Sequence, residues 1–228
     1  MTAAYAYFEG IYRQDSSASG WNTPAVDKEV LAYLGELLHA AALAPTARVL
    51  EIGCGMGNLS LPLARQGFRV TGLDVSATAI GEARKRCQHA GSAPPDFVVG
   101  DVTQPSAYAG IGNVDGVVDG LCLHCILGED RPRLLRLVRD ALHPGGCFLV
   151  MTMCGEPRSV ALRQRFDEST RCIWGCGGPH RHLGCSEELL AELDSAGFHL
   201  GYWRVQPGDE ATGDQDMLLA VARSSAAL

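Results

Sequence analysis

Three glycines at alternate positions, Gly53, Gly55 and Gly57, lie in the run VLEIGCGMGNLS at 49–60, after a short apolar segment and before a leucine-rich one. Where a strand turns into a helix, glycines let the backbone pass close to a ligand in dihedrals closed to other residues. The spacing is G-x-G-x-G, and Asn58 stands where a G-x-G-x-x-G dinucleotide fingerprint requires its third glycine. Taken alone, the turn reads either as a nucleotide-binding loop or as a tight turn with no ligand. Two acids sharpen the choice. Asp74 closes the next apolar run, twenty-one residues past Gly53, where a carboxylate can accept hydrogen bonds from both hydroxyls of a ribose. Gly100-Asp101 closes the run after that, in reach of an adenine amino group. Each acid singly is as well explained as a helix cap or a solvated carboxylate. At successive strand ends they read as one ligand site, because ligands of open α/β sheets sit outside the carboxyl ends of the strands.

The elements that must position these residues follow from the period of the apolar residues. ARVLEI (47–52), FRVTGLD (68–74), FVVGD (97–101), VDGVVDGLC (114–122) and CFLVMTM (147–153) are strand-type runs. The last of them is apolar almost without interruption, as a strand buried on both faces should be. Between them lie segments of helical period. Leu59, Leu61, Leu63 and Ala64 start a helix that stops near Gly67, and Ser76 is a good N-cap for a helix burying Ile80, Ala83 and Cys87. Asp130 caps a helix with Leu134, Leu137, Val138 and Ala141 inward and Arg131, Arg133, Arg136 and Arg139 outward, ending at His143-Pro144-Gly145-Gly146. After an irregular stretch, Ser186 opens a helix through Leu189, Leu190, Leu193 and Ala196, and FHLGYWRV (198–205) and DMLLAVAR (216–223) are two closing strands. Strands alternating with helices predict a parallel sheet covered on both faces. No repeat, low-complexity tract or linker divides the chain.

Composition narrows the partners. Hydrophobic residues make up 46% of the 228 and charged residues 20%, enough apolar material for one generous domain and its core. Nineteen basic against 26 acidic residues leave a net charge of −7, which opposes a nucleic-acid partner. The longest uncharged apolar runs, such as CFLVMTMC at 147–154, fall short of the ~20 residues that cross a bilayer. The opening MTAAYAYFEG lacks the basic and apolar regions of a secretory signal, so a cytoplasmic setting is expected. Nine cysteines are then expected as free thiols and not as a disulfide framework.

Through VLEIGCGMG, GLDVS, GDV, VDGVVDGLCLH and LHPGG, over about residues 45–153, the chain resembles the class I S-adenosylmethionine-dependent methyltransferases, small-molecule type. A helix ending in LHPGG before the fifth strand is foreign to dehydrogenases. The resemblance implies an α/β, Rossmann-like fold: a seven-stranded, mainly parallel sheet with an antiparallel last strand and helices on both faces. It implies S-adenosyl-L-methionine as cofactor and S-adenosyl-L-homocysteine as product. It places Glu51, Gly53, Cys54 and Gly55 near the methionine end, Asp74 with Val75 at the ribose, Asp101 with Val102 at the adenine, and Asp119 near the methionine amino group. One domain over 1–228 is expected, with 1–40 as an N-terminal helical lid and 154–185 as an insertion beside the acceptor.

The sulfonium of that cofactor is already an activated electrophile, so the protein's main work is alignment of the acceptor; a base is needed only where a proton must leave. No metal is required. His124, in Cys122-Leu123-His124-Cys125, is the best-placed titratable group for a base, and a structural, hydrogen-bonded histidine is the competing reading. Cys122, Tyr12, Trp21 and Trp174 are candidate acceptor contacts. Tyr5, Tyr7, Phe8 and Tyr12 form either a lid over the pocket or an amphipathic helix packed on the sheet. The segment RCIWGCGGPHRHLGC (171–185) offers Cys172, Cys176, Cys185, His180 and His182, and three readings stay open for it: bound zinc, a soft-ligand site for a thiol, selenium or metalloid acceptor, or plain packing. A mobile cover without metal is the expectation. No Asn-Pro-Pro-Tyr segment follows the fourth strand, which opposes DNA-amino methylation. The acceptor is expected to be a small molecule, with no nucleic acid or membrane partner, and the protein a monomer or homodimer. A protein that keeps the cofactor fold and methylates nothing would carry the same motifs.

Overall fold

Alternating apolar positions that must be buried on opposite faces produce the central sheet of this chain. A computed structural model describes residues 3–14, 24–88, 94–175, 178–211 and 215–224. In chain order the elements are α1 (Ala3–Gln14), α2 (Pro24–Ala41), β1 (Arg48–Ile52), α3 (Ser60–Arg65), β2 (Arg69–Asp74), α4 (Ala77–Cys87), β3 (Asp96–Val99), β4 (Val114–Gly120), α5 (Asp130–Ala141) and β5 (Leu142–Cys154). They continue with α6 (Val160–Arg163), β6 (Phe166–Asp167), β7 (Cys172–Gly175), β8 (Gly178–His182), α7 (Ser186–Ser195), β9 (Phe198–Gln206) and β10 (Asp216–Ser224).

Seven strands form the main sheet in the order β3-β2-β1-β4-β5-β10-β9. Neighbours from β3 to β5 are parallel, and β10 runs antiparallel to both β5 and β9. The expected fold class, with its antiparallel last strand, is the one observed. Along β5, Phe148 and Val150 face one layer with Leu134, Leu135 and Val138 of α5, Leu193 of α7 and Phe198. Cys147, Leu149 and Met151 face the other, with Leu34 and Leu37 of α2 and Leu63 of α3. A side-chain period of two, with an apolar layer on each side, is why this run is apolar throughout.

Two sequence expectations change. Arg131, placed outward by helical period, is 4% exposed. Its guanidinium pairs with Glu192 of α7 at 2.7 Å and donates to the carbonyls of Leu123 and Ile126 at 2.8 and 3.0 Å. Those carbonyls belong to a tight turn after β4 and have no strand partner, so a long donor from the next helix satisfies them. The stretch after β5 is also more ordered than its sequence indicated. There β6, β7 and β8 form a small antiparallel sheet, β6-β7-β8.

The chain order of the main sheet reverses between β1 and β4, which makes the carboxyl ends of those strands its switch point. Near the carboxyl end of β5, Thr152 is fully buried and its hydroxyl has no partner among the described residues. An unanswered buried hydroxyl costs about 1–3 kcal/mol. Thr152→Val is therefore expected to stabilise the protein, raising the melting temperature by about 2–4 °C for each kcal/mol recovered. A lower melting temperature in thermal denaturation would contradict this account of β5.

Candidate active site

One cavity opens at the switch point, and its walls come from the loop that follows each of the first four parallel strands. Gly53 follows β1, Asp74 and Val75 stand at the end of β2, Asp101 and Val102 follow β3, and residues 120–126 follow β4. Met153 of β5 completes the floor, while Tyr7, Phe8 and Tyr12 of α1 and His180 and Arg181 of β8 close the sides. The rings of Tyr7 and His180 meet at 5.4 Å, so the N-terminal helix and the small sheet touch across the opening.

The glycine turn is shaped by close approach. Gly53 sits at φ +65, and a Cβ there would lie 2.6 Å from the Cβ of Cys122; Gly55 sits at φ +52, with the Tyr12 hydroxyl 2.6 Å from where its Cβ would be. A side chain at either position would strain the backbone and push the loop off its neighbour. Asp74 holds this turn to the next one. Its Oδ2 accepts the Gly55 N–H and its Oδ1 the Ser76 N–H, both at 2.8 Å. Burial raises its pKa, while those two backbone donors oppose the rise. Glu9 of α1 reaches the same corner, accepting from the Ser76 hydroxyl at 2.6 Å and the Thr78 hydroxyl at 2.7 Å. Burial pushes the Glu9 carboxyl up, but the donors of Ser76, Thr78 and Arg13 outweigh it and hold the pKa at about 2. Asp101 lines the cavity with its Oδ1 engaged by the N–H and hydroxyl of Thr103, at 2.9 and 2.7 Å.

Glu51, Cys54, Gly55 and Asp119 stand one layer behind the cavity surface. Glu51 is buried and accepts from the Ser60 hydroxyl. Burial, helped by the nearby Asp74, lifts its pKa to about 8. The Asp119 Oδ1 accepts the N–H groups of Cys122 and Leu123 at 2.8 Å each, while its Oδ2 is buried without a partner. Burial raises Asp119 to about 7 against the pull of those donors. The turn after β4 is thus gripped twice, by Asp119 at its amide groups and by Arg131 at its carbonyls. Leu121 enters it at φ +71, a strained value for a leucine.

That turn carries His124 into the cavity wall. The residue is 3% exposed and its Nδ1 has no partner among the described residues. Burial first, then the charges of Arg181 and Arg131, hold its pKa well below the ordinary histidine value. The imidazole is therefore uncharged at neutral pH and in the form that can accept a proton. The thiols beside it behave differently: burial pushes Cys122 far above the usual thiol range and Cys125 to about 12, so both stay protonated.

Of the candidate acceptor contacts, Tyr12 and Cys122 line the cavity. Trp174 does not; it is 46% exposed on the small sheet, where a register shift between Ile173 and Trp174 breaks the alternation that would otherwise put the indole on the face of buried Cys172. Trp21, Cys176 and the Tyr5 side chain lie outside the described residues. Cys172 and Cys185 are away from the cavity, and among the described residues no three His, Cys, Asp or Glu side chains could share a metal ion. Arg181 and Glu9 are the residues that sequence reasoning missed. Nothing in GPHRHLGC distinguishes Arg181 from a solvated arginine, and only the i, i+3 spacing of Glu9 to Tyr12 hinted that it shares their face.

Comparison with known proteins places this geometry. A family model described as a methyltransferase domain matches residues 49–146. The chain is 37% identical over 183 residues to an S-adenosyl-L-methionine-dependent Diels-Alderase of Talaromyces variabilis, covering 78% of this chain and 62% of that protein. It is 38% identical over 114 residues to a ubiquinone biosynthesis O-methyltransferase of Methylobacterium sp. (strain 4-46), covering 50% and 44%. The chain thus spans about half to three-fifths of the length of these curated relatives. Among solved structures, the Burkholderia thailandensis 1,6-didemethyltoxoflavin-N1-methyltransferase with bound S-adenosylhomocysteine superposes with a TM-score of 0.69 at 20% identity, over 99% of this chain and 92% of that one. The sheet order, the glycine turn with its two following acids, and the match over 49–146 all agree: that segment belongs to the methyltransferase-domain family, and the chain is similar to the class I S-adenosylmethionine-dependent methyltransferases, whose cofactor is S-adenosylmethionine.

Proposed function

We propose that this protein is a methyltransferase that moves a methyl group from S-adenosylmethionine to a nucleophilic nitrogen, oxygen or sulfur of a small-molecule acceptor. The observation that carries the reading is that Asp74, Asp101, Cys122 and His124 line one cavity. The chemistry of these donors fits the cofactor. Asp74 and Asp101 suit ribose hydroxyls and an adenine amino group, and the orphaned Oδ2 of Asp119 suits an ammonium. Three buried carboxylates at strand ends also favour a ligand that carries positive charge. When bound, the cofactor supplies a methyl group on a sulfonium. The protein's share is then to align the acceptor and exclude water, with Tyr7, Phe8 and Tyr12 as cover. Where the acceptor loses a proton, His124 takes it on its uncharged ring. The net charge of −7 opposes a nucleic-acid acceptor.

A second reading has its own support. The Diels-Alderase relative matches 78% of this chain, more than the O-methyltransferase does. In that reading the same cavity holds the cofactor while a substrate rearranges beside it, with no methyl transferred. The Cys-rich soft-acceptor reading loses ground, since Cys172 and Cys185 do not reach the cavity and its two thiols stay protonated.

An acceptor panel of phenols, amines, thiols and oxyanions, scored by S-adenosylhomocysteine release, tests the main reading. Release with at least one class is expected; consumption of a polyene substrate without any release would favour the second. Asp74→Asn should weaken S-adenosylmethionine binding at least about tenfold, from lost charged hydrogen bonds of roughly 1.5–3 kcal/mol each. Unchanged affinity in a titration of the folded variant would remove Asp74 from the cofactor site. His124→Asn should lower turnover far more than cofactor affinity if the ring is a base; a joint fall in melting temperature and affinity would make it structural.

The raised carboxylates set a pH dependence. Glu51 near 8 and Asp119 near 7 bind more protons folded than unfolded, so they cost stability as pH rises through those values. His124, depressed by burial, acts the other way, but only below the ordinary histidine pKa of about 6.5. Between pH ~6.5 and ~8 the unliganded protein should therefore lose stability as pH rises. Glu51→Gln should flatten the slope. A melting temperature that climbs over this range would show that these carboxylates are already ionised.

A further inference from the structure

The cavity is polarised. Asp74 and Asp101 stand at the ends of β2 and β3, and Arg181 of β8 stands in the wall that includes His124 and His180. Arg181 differs from the other arginines of the same insertion. Arg158 holds Asp216 at 2.7 Å, Arg163 holds Glu210 at 3.0 Å, and Arg171 pairs with Glu156 at 2.5 Å, while Arg165 donates to the Ala161 carbonyl at 3.3 Å. Arg181 is part-buried, and its side chain makes no hydrogen bond or ion pair with any described residue. Its charge is nonetheless felt along that wall, where it adds to the burial that depresses the pKa of both His124 and His180. Those two rings are consequently uncharged and do not share its role as a cation.

The surroundings are apolar. Tyr7 and Phe8 meet edge to face at 5.1 Å, and Ile126 and Met153 line the same space. A part-buried guanidinium on such a wall, unpaired among the described residues, has its donors available for a ligand. Its planar fork matches a carboxylate through two parallel N–H···O bonds, and the aromatic pair beside it offers a wall for a flat ring.

We propose that Arg181 is the recognition group for the acceptor, and that the acceptor is a planar, largely apolar molecule bearing a carboxylate. The proposal rests on the reading of this cavity as a methyltransferase site, in that it assigns the acceptor to the side facing Asp74 and Asp101. The same chemistry has a second source, because S-adenosylmethionine carries a carboxylate of its own on the methionine end. The two sources are separable by binding.

The test uses the full chain loaded with S-adenosylhomocysteine and titrated calorimetrically with benzoate, phenylacetate, cinnamate and 4-hydroxybenzoate, each beside its neutral amide. At least one carboxylate should bind about tenfold or more tighter than its amide, the worth of one charge-assisted contact. Arg181→Gln should bring that ratio to within about twofold while leaving S-adenosylhomocysteine affinity within about twofold, and Arg181→Lys should restore part of the preference. A wild-type protein that shows no carboxylate preference, or a preference that survives in Arg181→Gln, overturns the proposal. So does a tenfold loss of S-adenosylhomocysteine affinity in Arg181→Gln with carboxylate binding unchanged, which would give the guanidinium to the cofactor. If the wild-type chain fails to bind S-adenosylhomocysteine at all, the functional reading falls. The carboxylate-to-amide ratio of the unloaded chain then judges Arg181 by itself.

Discussion

Glu51, Asp74 and Asp119 are buried at the ends of neighbouring strands β1, β2 and β4, and much of the site is arranged around the cost of keeping them there. A carboxylate out of water must be answered by donors or surrender its charge to a proton. Asp74 is answered by two backbone N–H groups from the turns it joins. Asp119 is answered on one oxygen only, and Glu51 by a single hydroxyl, so both rise towards neutral pH. The same hydrogen bonds that temper these charges also fix the loops. Asp74 ties the glycine turn to the start of α4, and Asp119 ties the turn that carries His124. Electrostatic cost and loop geometry are in this sense one arrangement.

Arg131 completes it from the other layer. By donating to the carbonyls of Leu123 and Ile126 while paired with Glu192, it joins α5, α7 and the cavity wall. A turn held at its amides by an acid and at its carbonyls by a base has little freedom, so the side chains it places in the cavity wall are held in position. Arg131 therefore acts on the site through Leu123 and Ile126 without touching the cavity.

The opening is built from less regular parts. The N-terminal helix lies over the strand ends because Glu9 accepts from Ser76 and Thr78 at the start of α4, where backbone N–H groups favour an anion. From β8 comes a cation and a neutral ring. The cavity that results is lined by acids at the ends of the first strands and by an arginine of the small sheet, charges brought together from elements far apart in the chain.

The sheet and its site were legible in the sequence wherever a local rule applies. Period-two apolar runs, glycines at a strand-to-helix turn, and acids at the ends of VTGLD and FVVGD follow from backbone sterics and burial, and neighbours in sequence suffice to show them. The family's motifs then attached a cofactor to those positions. Tertiary structure decided what depends on partners distant in sequence. Arg131 reads as one of four outward arginines until a turn eight residues back needs its donors. Trp174 is a plausible acceptor contact until pairing with β8, with its register shift between Ile173 and Trp174, leaves the indole exposed. Arg181 looks like any surface arginine until folding brings it to a cavity wall, where its side chain pairs with no carboxylate among the described residues. Periodicity reports which face of an element is buried, but not which distant group it meets, and the chemistry of a site depends on that meeting.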